Sequence, residues 1–296
     1  VKVRVGYGLG ARRAVTRASL ASLVDGLELR GFDSLWLSER ASAPVPDPII
    51  GLTFAAARTE RLKLGTSVQV LPGRNPALLA KELATLDVLS NGRLLPAFGL
   101  GNVVAAEQQA FGVAREERAP WFDEALPLIR RMWTERSVDH DGARFSYRSL
   151  AIEPKPVQQP PSVWLGGRAP SELRRIGRLG DGWLASFTSP AECAAGRVLI
   201  EHTATDHGRS IDPEHYGAMV MYSHDVVPDW LAAALRTIKA DADVHELVCV
   251  GVDAIRRRID EYLAAGVSKF VLVPLDEPDI WAAELDSVAP LLDLQT

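Results

Sequence analysis

The stretch from Leu62 to Gly101, LKLGTSVQVLPGRNPALLAKELATLDVLSNGRLLPAFGLG, constrains the fold of this chain more than any other. Leu62–Val70 mixes β-branched and apolar residues around Gly65, the pattern of a strand buried on both faces. Two prolines and a glycine in Leu71–Pro76 break that pattern. Leu78, Leu79, Leu83, Leu86 and Leu89 then recur at helical spacing, and Asn91-Gly92 supplies the left-handed residues that stop a helix. Arg93–Phe98 is strand-like again and ends in Gly99-Leu100-Gly101. A strand, a crossover helix and a returning parallel strand within about 40 residues make one βαβ unit.

The same alternation runs along the rest of the chain. Val3–Gly8 reads as a strand, and Ala18–Arg30 as a helix ended by Gly31. Ser34–Leu37 is a second strand, followed by a proline-rich loop, Glu39–Pro48, and a helix from Ile50 to Arg58. Helices are expected over Ala105–Phe111 and Trp121–Trp133. Val138–Pro161 breaks the alternation: Asp141-Gly142 sits between short β-like runs, and Pro154, Pro156, Pro160 and Pro161 leave no helical period, so a hairpin is expected here. Strands are then expected at Val163–Leu165, Gly182–Ser186, Ala218–Ser223, Leu247–Val250 and Phe270–Pro274. The helices among them are Ser171–Arg178, Pro190–Thr205, Pro228–Ala240, Ala254–Ala265 and Ile280–Leu292. This gives eight parallel-type strands and one spare. Right-handed crossovers put every helix on one side, so the pattern predicts an α/β fold, a (β/α)8 TIM barrel forming one domain over residues 1–296. Residues 138–161 form its insertion between strands four and five. The length of 296 residues fits, and an open doubly wound sheet is the alternative.

Composition narrows the partners. A net charge of -5 without any Lys/Arg run argues against nucleic acid and gives no pull toward an anionic membrane. No apolar run approaches the roughly 18 residues of a membrane span, and the first residues, VKVRVGYGLG, lack a secretory layout. Cys193 and Cys249 lack metal-type spacing, which suits a reducing cytoplasm. A small molecule is the expected partner, and a homodimer is left open.

In such a barrel, chemistry sits where the C-terminal strand ends meet the loops. That rule selects Glu39, Arg40, the run from Val70 to Asn75, Gly99, Asn102, the loop from Gly166 to Ala169, and His224 among others. There is no Ser-His-Asp spacing, no HExxH, no pair of carboxylates and no phosphate-binding GxxxxGK[ST], and no metal site is expected. A mouth so poor in acids and bases suits a cofactor that brings its own reactivity. The run Gly166-Gly167-Arg168-Ala169-Pro170-Ser171-Glu172 would let N–H groups converge at a helix N-terminus on a phosphate, or be an ordinary tight turn. His224 is the one histidine at a predicted strand end and is the acid/base candidate. Glu39 and Arg40 could equally form an exposed ion pair.

Three stretches, Leu71–Leu94, Gly166–Ser186 and Ala265–Pro274 (AGVSKFVLVP), together with the overall pattern, resemble the luciferase-like monooxygenase superfamily, and within it the coenzyme F420-dependent oxidoreductases. The resemblance implies a deazaflavin ring in the barrel mouth against the end of the third strand, touching Ser67, Val68 and Gly99. It implies a phosphate tail on Gly166, Gly167, Arg168 and Ala169, and a bulged third strand with a non-proline cis peptide at Ser67–Val68. Two positions depart from the sugar-phosphate and alcohol dehydrogenases of that branch. Glu39-Arg40 stands where they carry Asp-His, and Asn102 where they carry a glutamate, which an amide cannot replace in proton transfer. The expectation is therefore hydride transfer between the deazaflavin and a small organic substrate in the reductive direction, with Glu39 orienting the ring and Arg40 meeting the substrate. An FMN-dependent monooxygenase and a catalytically silent flavin-binding protein are the alternatives.

Overall fold

The structure, a computed structural model, describes residues 2–10, 14–101, 104–239, 243–276, 278 and 280–296. In chain order the elements begin with β1 (Arg4–Gly8), α1 (Arg17–Arg30), β2 (Ser34–Leu37), α2 (Pro48–Ala56), β3 (Lys63–Thr66), β4 (Gln69–Val70) and α3 (Pro76–Leu89). Next come β5 (Leu94–Leu95), β6 (Ala97–Gly99), α4 (Ala105–Phe111), α5 (Arg115–Thr134), β7 (Val138–Asp141), β8 (Ser146–Leu150), β9 (Trp164–Gly166) and α6 (Pro170–Leu179). The chain closes with β10 (Gly182–Ala185), α7 (Pro190–Asp206), β11 (Tyr216–Ser223), α8 (Asp229–Ile238), α9 (Val244–Leu247), β12 (Val248–Val250), α10 (Val252–Ala264), β13 (Lys269–Pro274), α11 (Trp281–Val288) and a 3-10 turn, Ala289–Leu294. Ala240, the expected end of α8, lies outside the described residues.

The sheet closes on itself. β3 and β4 are the two halves of the third barrel strand, and β5 and β6 the two halves of the fourth. β3 pairs with β5 and β4 with β6, while the path runs β6-β9-β10-β11-β13-β1-β2-β3 and so returns to its start, every pair parallel. This is the eight-stranded barrel expected from the alternation. The spare strand is β12. Among the described residues it pairs only with the last three residues of β11, beyond the point where β10 stops. Leu247, expected to start that strand, ends the short helix α9 instead.

Both interruptions in the barrel wall have local causes. Pro96 carries no N–H for the ladder between β5 and β6. The buried Thr66 hydroxyl covers the gap, donating to the Ala97 carbonyl at 2.6 Å and accepting from the Ala97 N–H at 2.7 Å. The third strand breaks at Ser67–Val68, a cis peptide. It stays in the wall because Ser67 N–H donates to Leu37 O at 2.8 Å and Glu39 N–H donates to Val68 O at 3.2 Å.

Strand alternation sorts the apolar side chains into two layers. Trp36, Ala97, Trp164, Leu184 and Val271, with Val68, Leu95, Met219 and Val273 against them, form a cluster contributed by strands alone, which is the barrel lumen. Their chain neighbours Leu35, Phe98, Leu165, Ala185 and Leu272 join helix residues in the much larger outer cluster. The antiparallel pair β7-β8 stands outside the barrel sheet. It is tied to α5 by Glu124, which accepts the N–H groups of Arg144 and Phe145 and pairs with His140. At the opposite end of the barrel from the mouth, the carboxylate of Asp33 is held by Lys269 at 2.8 Å and Lys63 at 3.0 Å, with Arg4 at 3.6 Å.

Candidate active site

The floor of the mouth is Val68. Directly after the cis peptide its side chain enters the lumen between the ends of β6 and β9. A Cβ on Gly99 would lie 2.6 Å from Val68 Cγ2, and one on Gly166 would lie 2.9 Å from Val68 Cγ1. Only glycine fits beside Val68 at either position, since real Cβ contacts are not that short. The structure thus brings together Ser67, Val68, Gly99 and Gly166, from three different strands. Ser38, at the exit of β2, fixes the bend by donating its hydroxyl to Ser67 O at 2.7 Å, with Ser67 Oγ 3.1 Å away.

Glu39 lies against the same segment. Its Oε2 accepts the Val70 N–H at 2.7 Å and its Oε1 pairs with the Arg74 guanidinium. Burial pushes the Glu39 carboxyl above its ordinary value, and Arg74 opposes that rise without cancelling it. The strand-end rule placed Arg74 in the mouth, within Val70 to Asn75, but gave it no role, because LPGRNP reads as loop punctuation. Arg40 does not join the Glu39–Arg74 pair: its Nε is 3.6 Å from Oε1 of Glu107 on α4, and its side chain stays partly exposed. Glu107, 2 % exposed, also accepts the N–H groups of Ala41 at 2.9 Å and Ser42 at 3.0 Å, and the Ser42 hydroxyl. Burial works to raise the Glu107 carboxyl, but these hydrogen bonds and Arg40 hold it below its ordinary value. Nothing in the sequence links Glu107 to a loop 65 residues earlier. Asn102 lies outside the described residues.

The glycine loop after β9 has the N–H convergence expected from its sequence. Gly167 has φ +136, and its carbonyl accepts the Trp183 indole N–H at 2.9 Å. The N–H groups of Arg168 and Ala169 both point at one acceptor, which is Glu172 Oε2 of the chain itself, 2.9 Å from each. A carboxylate thus takes the donors that the sequence reading reserved for a phosphate, so the donor set suits an anion.

His224 is placed apart from these groups. It follows β11 in register with Tyr222, and alternation turns both away from the lumen. Its Nε2 is 2.7 Å from Glu284 Oε2 on α11. Glu284, 5 % exposed at its side chain, also accepts the hydroxyls of Tyr222 and Tyr7 on its other oxygen. Burial, with Glu284 nearby, drives both phenols well above their usual range. A cavity of about 260 Å³ between the loops after β1 and β13 is lined by Leu9, Val15, Pro274, Ile280 and Trp281, and shares no residue with the Val68 floor. No group of three or more His, Cys, Asp or Glu able to hold a metal occurs among the described residues.

The model of the family described as luciferase-like monooxygenase matches residues 3–268. The chain belongs to that family. An F420-dependent glucose-6-phosphate dehydrogenase of Kineococcus radiotolerans is 30% identical to this member over 213 residues, which are 69% of this chain and 60% of the relative. The chain therefore spans about three fifths of that relative's length. Among solved structures, an F420-dependent secondary alcohol dehydrogenase in complex with an F420-acetone adduct superposes with TM-score 0.79 at 20% identity, covering 97% of this chain and 99% of the other. The FMN complex of the oxygenating constituent of 3,6-diketocamphane monooxygenase, a type II Baeyer-Villiger enzyme of Pseudomonas putida, reaches TM-score 0.78 at 16% identity, with 99% and 97% covered. At these identities both likenesses speak for the shared barrel alone.

Proposed function

We propose that this family member is a coenzyme F420-dependent oxidoreductase that moves a hydride between the deazaflavin and a small organic substrate, in the reductive direction. One observation carries the reading. The loop whose first residue, Gly166, packs on the Val68 floor turns its next N–H groups, those of Arg168 and Ala169, onto a single anion. An apolar floor continuous with an anion-ready loop suits a planar ring with a phosphate tail. The F420-dependent names of the curated relatives favour a deazaflavin as that ligand.

When bound, the deazaflavin supplies the hydride. The chain's own residues supply position and charge. Val68, with Ser67, Gly99 and Gly166 around it, meets the ring. The buried Glu39–Arg74 pair keeps the bend after β3 in place. Arg40, held by Glu107, offers a positive charge to the negative charge that develops on a reduced acceptor. Both Glu39 oxygens are engaged, and His224 lies on the helix side of β11 away from the Val68 floor, so neither is a ready base for oxidising an alcohol there. A reduction needs only a proton donor, and water serves. The same proposal includes a small-molecule substrate, a single barrel domain, a homodimer and a cytoplasmic setting. No helix among the described residues is long and apolar enough to cross a membrane.

The test is anaerobic turnover of reduced F420 with a panel of activated alkenes, imines and quinones, read as the return of oxidised-deazaflavin absorbance. Acceptor-dependent oxidation is expected. Oxidation that requires dioxygen and free FMN instead would favour the monooxygenase reading, which the FMN-bound neighbour keeps in view.

A further inference from the structure

We infer that Glu172 is an internal anion that closes the Arg168–Ala169 donor pair and must be displaced by the phosphate of an incoming cofactor, so that it sets how strongly the site prefers phosphate-bearing over phosphate-free deazaflavins. The inference rests on the cofactor reading above.

The ten-residue helix α6 begins with Ala169 at its N-cap, which has no side-chain oxygen to offer, and Pro170 at its first position, which has no N–H. The N–H groups just ahead of the helix, those of Arg168 and Ala169, are met from inside it, where Glu172 folds back so that Oε2 accepts both at 2.9 Å. Gly167 makes this possible. At φ +136 it holds a conformation that side chains disfavour, and a Cβ there would lie 2.7 Å from Glu172 Cβ and 3.0 Å from Oε2. Glycine is therefore required first by the close approach of Glu172, and the approach of a ligand comes second.

Two anions cannot share this donor pair. A phosphate oxygen accepting from Arg168 and Ala169 would stand within contact distance of a carboxylate, and like charges that close disfavour each other strongly. Glu172 is only half-buried, so its carboxylate can rotate into water at modest cost and leave the pair to the phosphate. A ligand without a phosphate meets no such competition. The residue therefore acts against phosphate-bearing ligands selectively.

The experiment compares the full chain with Glu172→Ala and Glu172→Gln, the latter keeping an acceptor at the cap without its charge. Fluorescence titration follows F420 and its phosphate-free deazaflavin precursor. Backbone amide resonances of Arg168 and Ala169 are followed as inorganic phosphate is added. Glu172→Ala is expected to tighten F420 about five- to tenfold and to leave the phosphate-free compound within about twofold. Glu172→Gln should move in the same direction by less, and the two amides should respond at lower phosphate in both variants. Unchanged or weakened F420 binding, with the amides indifferent to phosphate in all three proteins, would reduce Glu172 to a helix cap and overturn the inference. Should neither deazaflavin bind any of the three, the cofactor reading fails, and the phosphate response alone decides the role of Glu172.

Discussion

Val68 is held by what its neighbours lack. Adding a methyl at Gly99 forces it against Val68 at 2.6 Å, so Gly99→Ala is expected to cost about 1–3 kcal/mol through overpacking. The double variant Gly99→Ala, Val68→Ala should recover most of that loss in thermal unfolding, and additive losses would show that the two side chains do not meet. Arg74 and Glu39 make a sharper case. Burial raises the Glu39 carboxyl, so the folded state prefers it protonated, and its ionisation costs stability as pH rises through the ordinary carboxylate range and above. Arg74 offsets that cost. Arg74→Ala should therefore destabilise by up to about 3 kcal/mol near neutral pH and by much less near about pH 4. Glu39→Gln in the same background should remove the pH dependence, which urea unfolding at the two pH values would reveal. Arg40→Ala should lower turnover by about 3 kcal/mol in transition-state terms while leaving cofactor affinity nearly unchanged. Equal losses in both would return Arg40 to a structural ion pair with Glu107.

Among the elements, α4 reaches back to the loop after β2 through Glu107, whose carboxylate satisfies three donors of residues 41–42. Such a long-range contact leaves no periodic trace in the sequence. The strands were legible because parallel barrel strands are short β-branched and apolar runs ended by glycine or a turn. The break between β3 and β4 was legible only through family resemblance, since LKLGTSVQV has the composition of one strand. Helix α5 starts at Arg115, six residues before the apolar period begins, and carries Pro120 and Pro127 inside it. Its first turn is REER, which has no hydrophobic stripe, and a proline normally marks a boundary. The glycine loop showed its backbone geometry in its sequence. Its occupant was not visible, because whether Glu172 folds back onto Arg168 and Ala169 depends on a rotamer that spacing does not specify. His224 stood at a strand end as expected, yet the two-residue period of β11 that pairs it with Tyr222 sends it to the helix side.

For the whole molecule, the end opposite the mouth carries a charge cluster that bears on stability. Burial would raise the Asp33 carboxyl, but Lys269 and Lys63 outweigh it and hold the group below its ordinary value. A depressed carboxyl contributes stability that is present above its unfolded pKa and fades as pH falls through the folded one. Wild-type stability should thus decline with acid below about pH 4, and Asp33→Asn should lack this part of the decline. Lys269 is 6 % exposed, so the same variant leaves a buried ammonium without its carboxylate and should lose about 3–5 kcal/mol at neutral pH by denaturant unfolding. The mouth should keep its ligand preference in that variant, because Asp33 touches none of its residues.

In the function proposed above, the Val68 floor and the loop beyond Gly166 together form a deazaflavin site. Its most direct test is equilibrium titration of the purified chain with F420 and, separately, with FMN, each followed by fluorescence quenching, alongside a Val68→Asp variant. Saturable binding of F420 is expected, with markedly weaker binding of FMN and loss of F420 binding in a folded Val68→Asp protein, where a carboxylate replaces the apolar floor. Tight FMN binding with none of F420, or F420 binding untouched by Val68→Asp, would contradict that proposal.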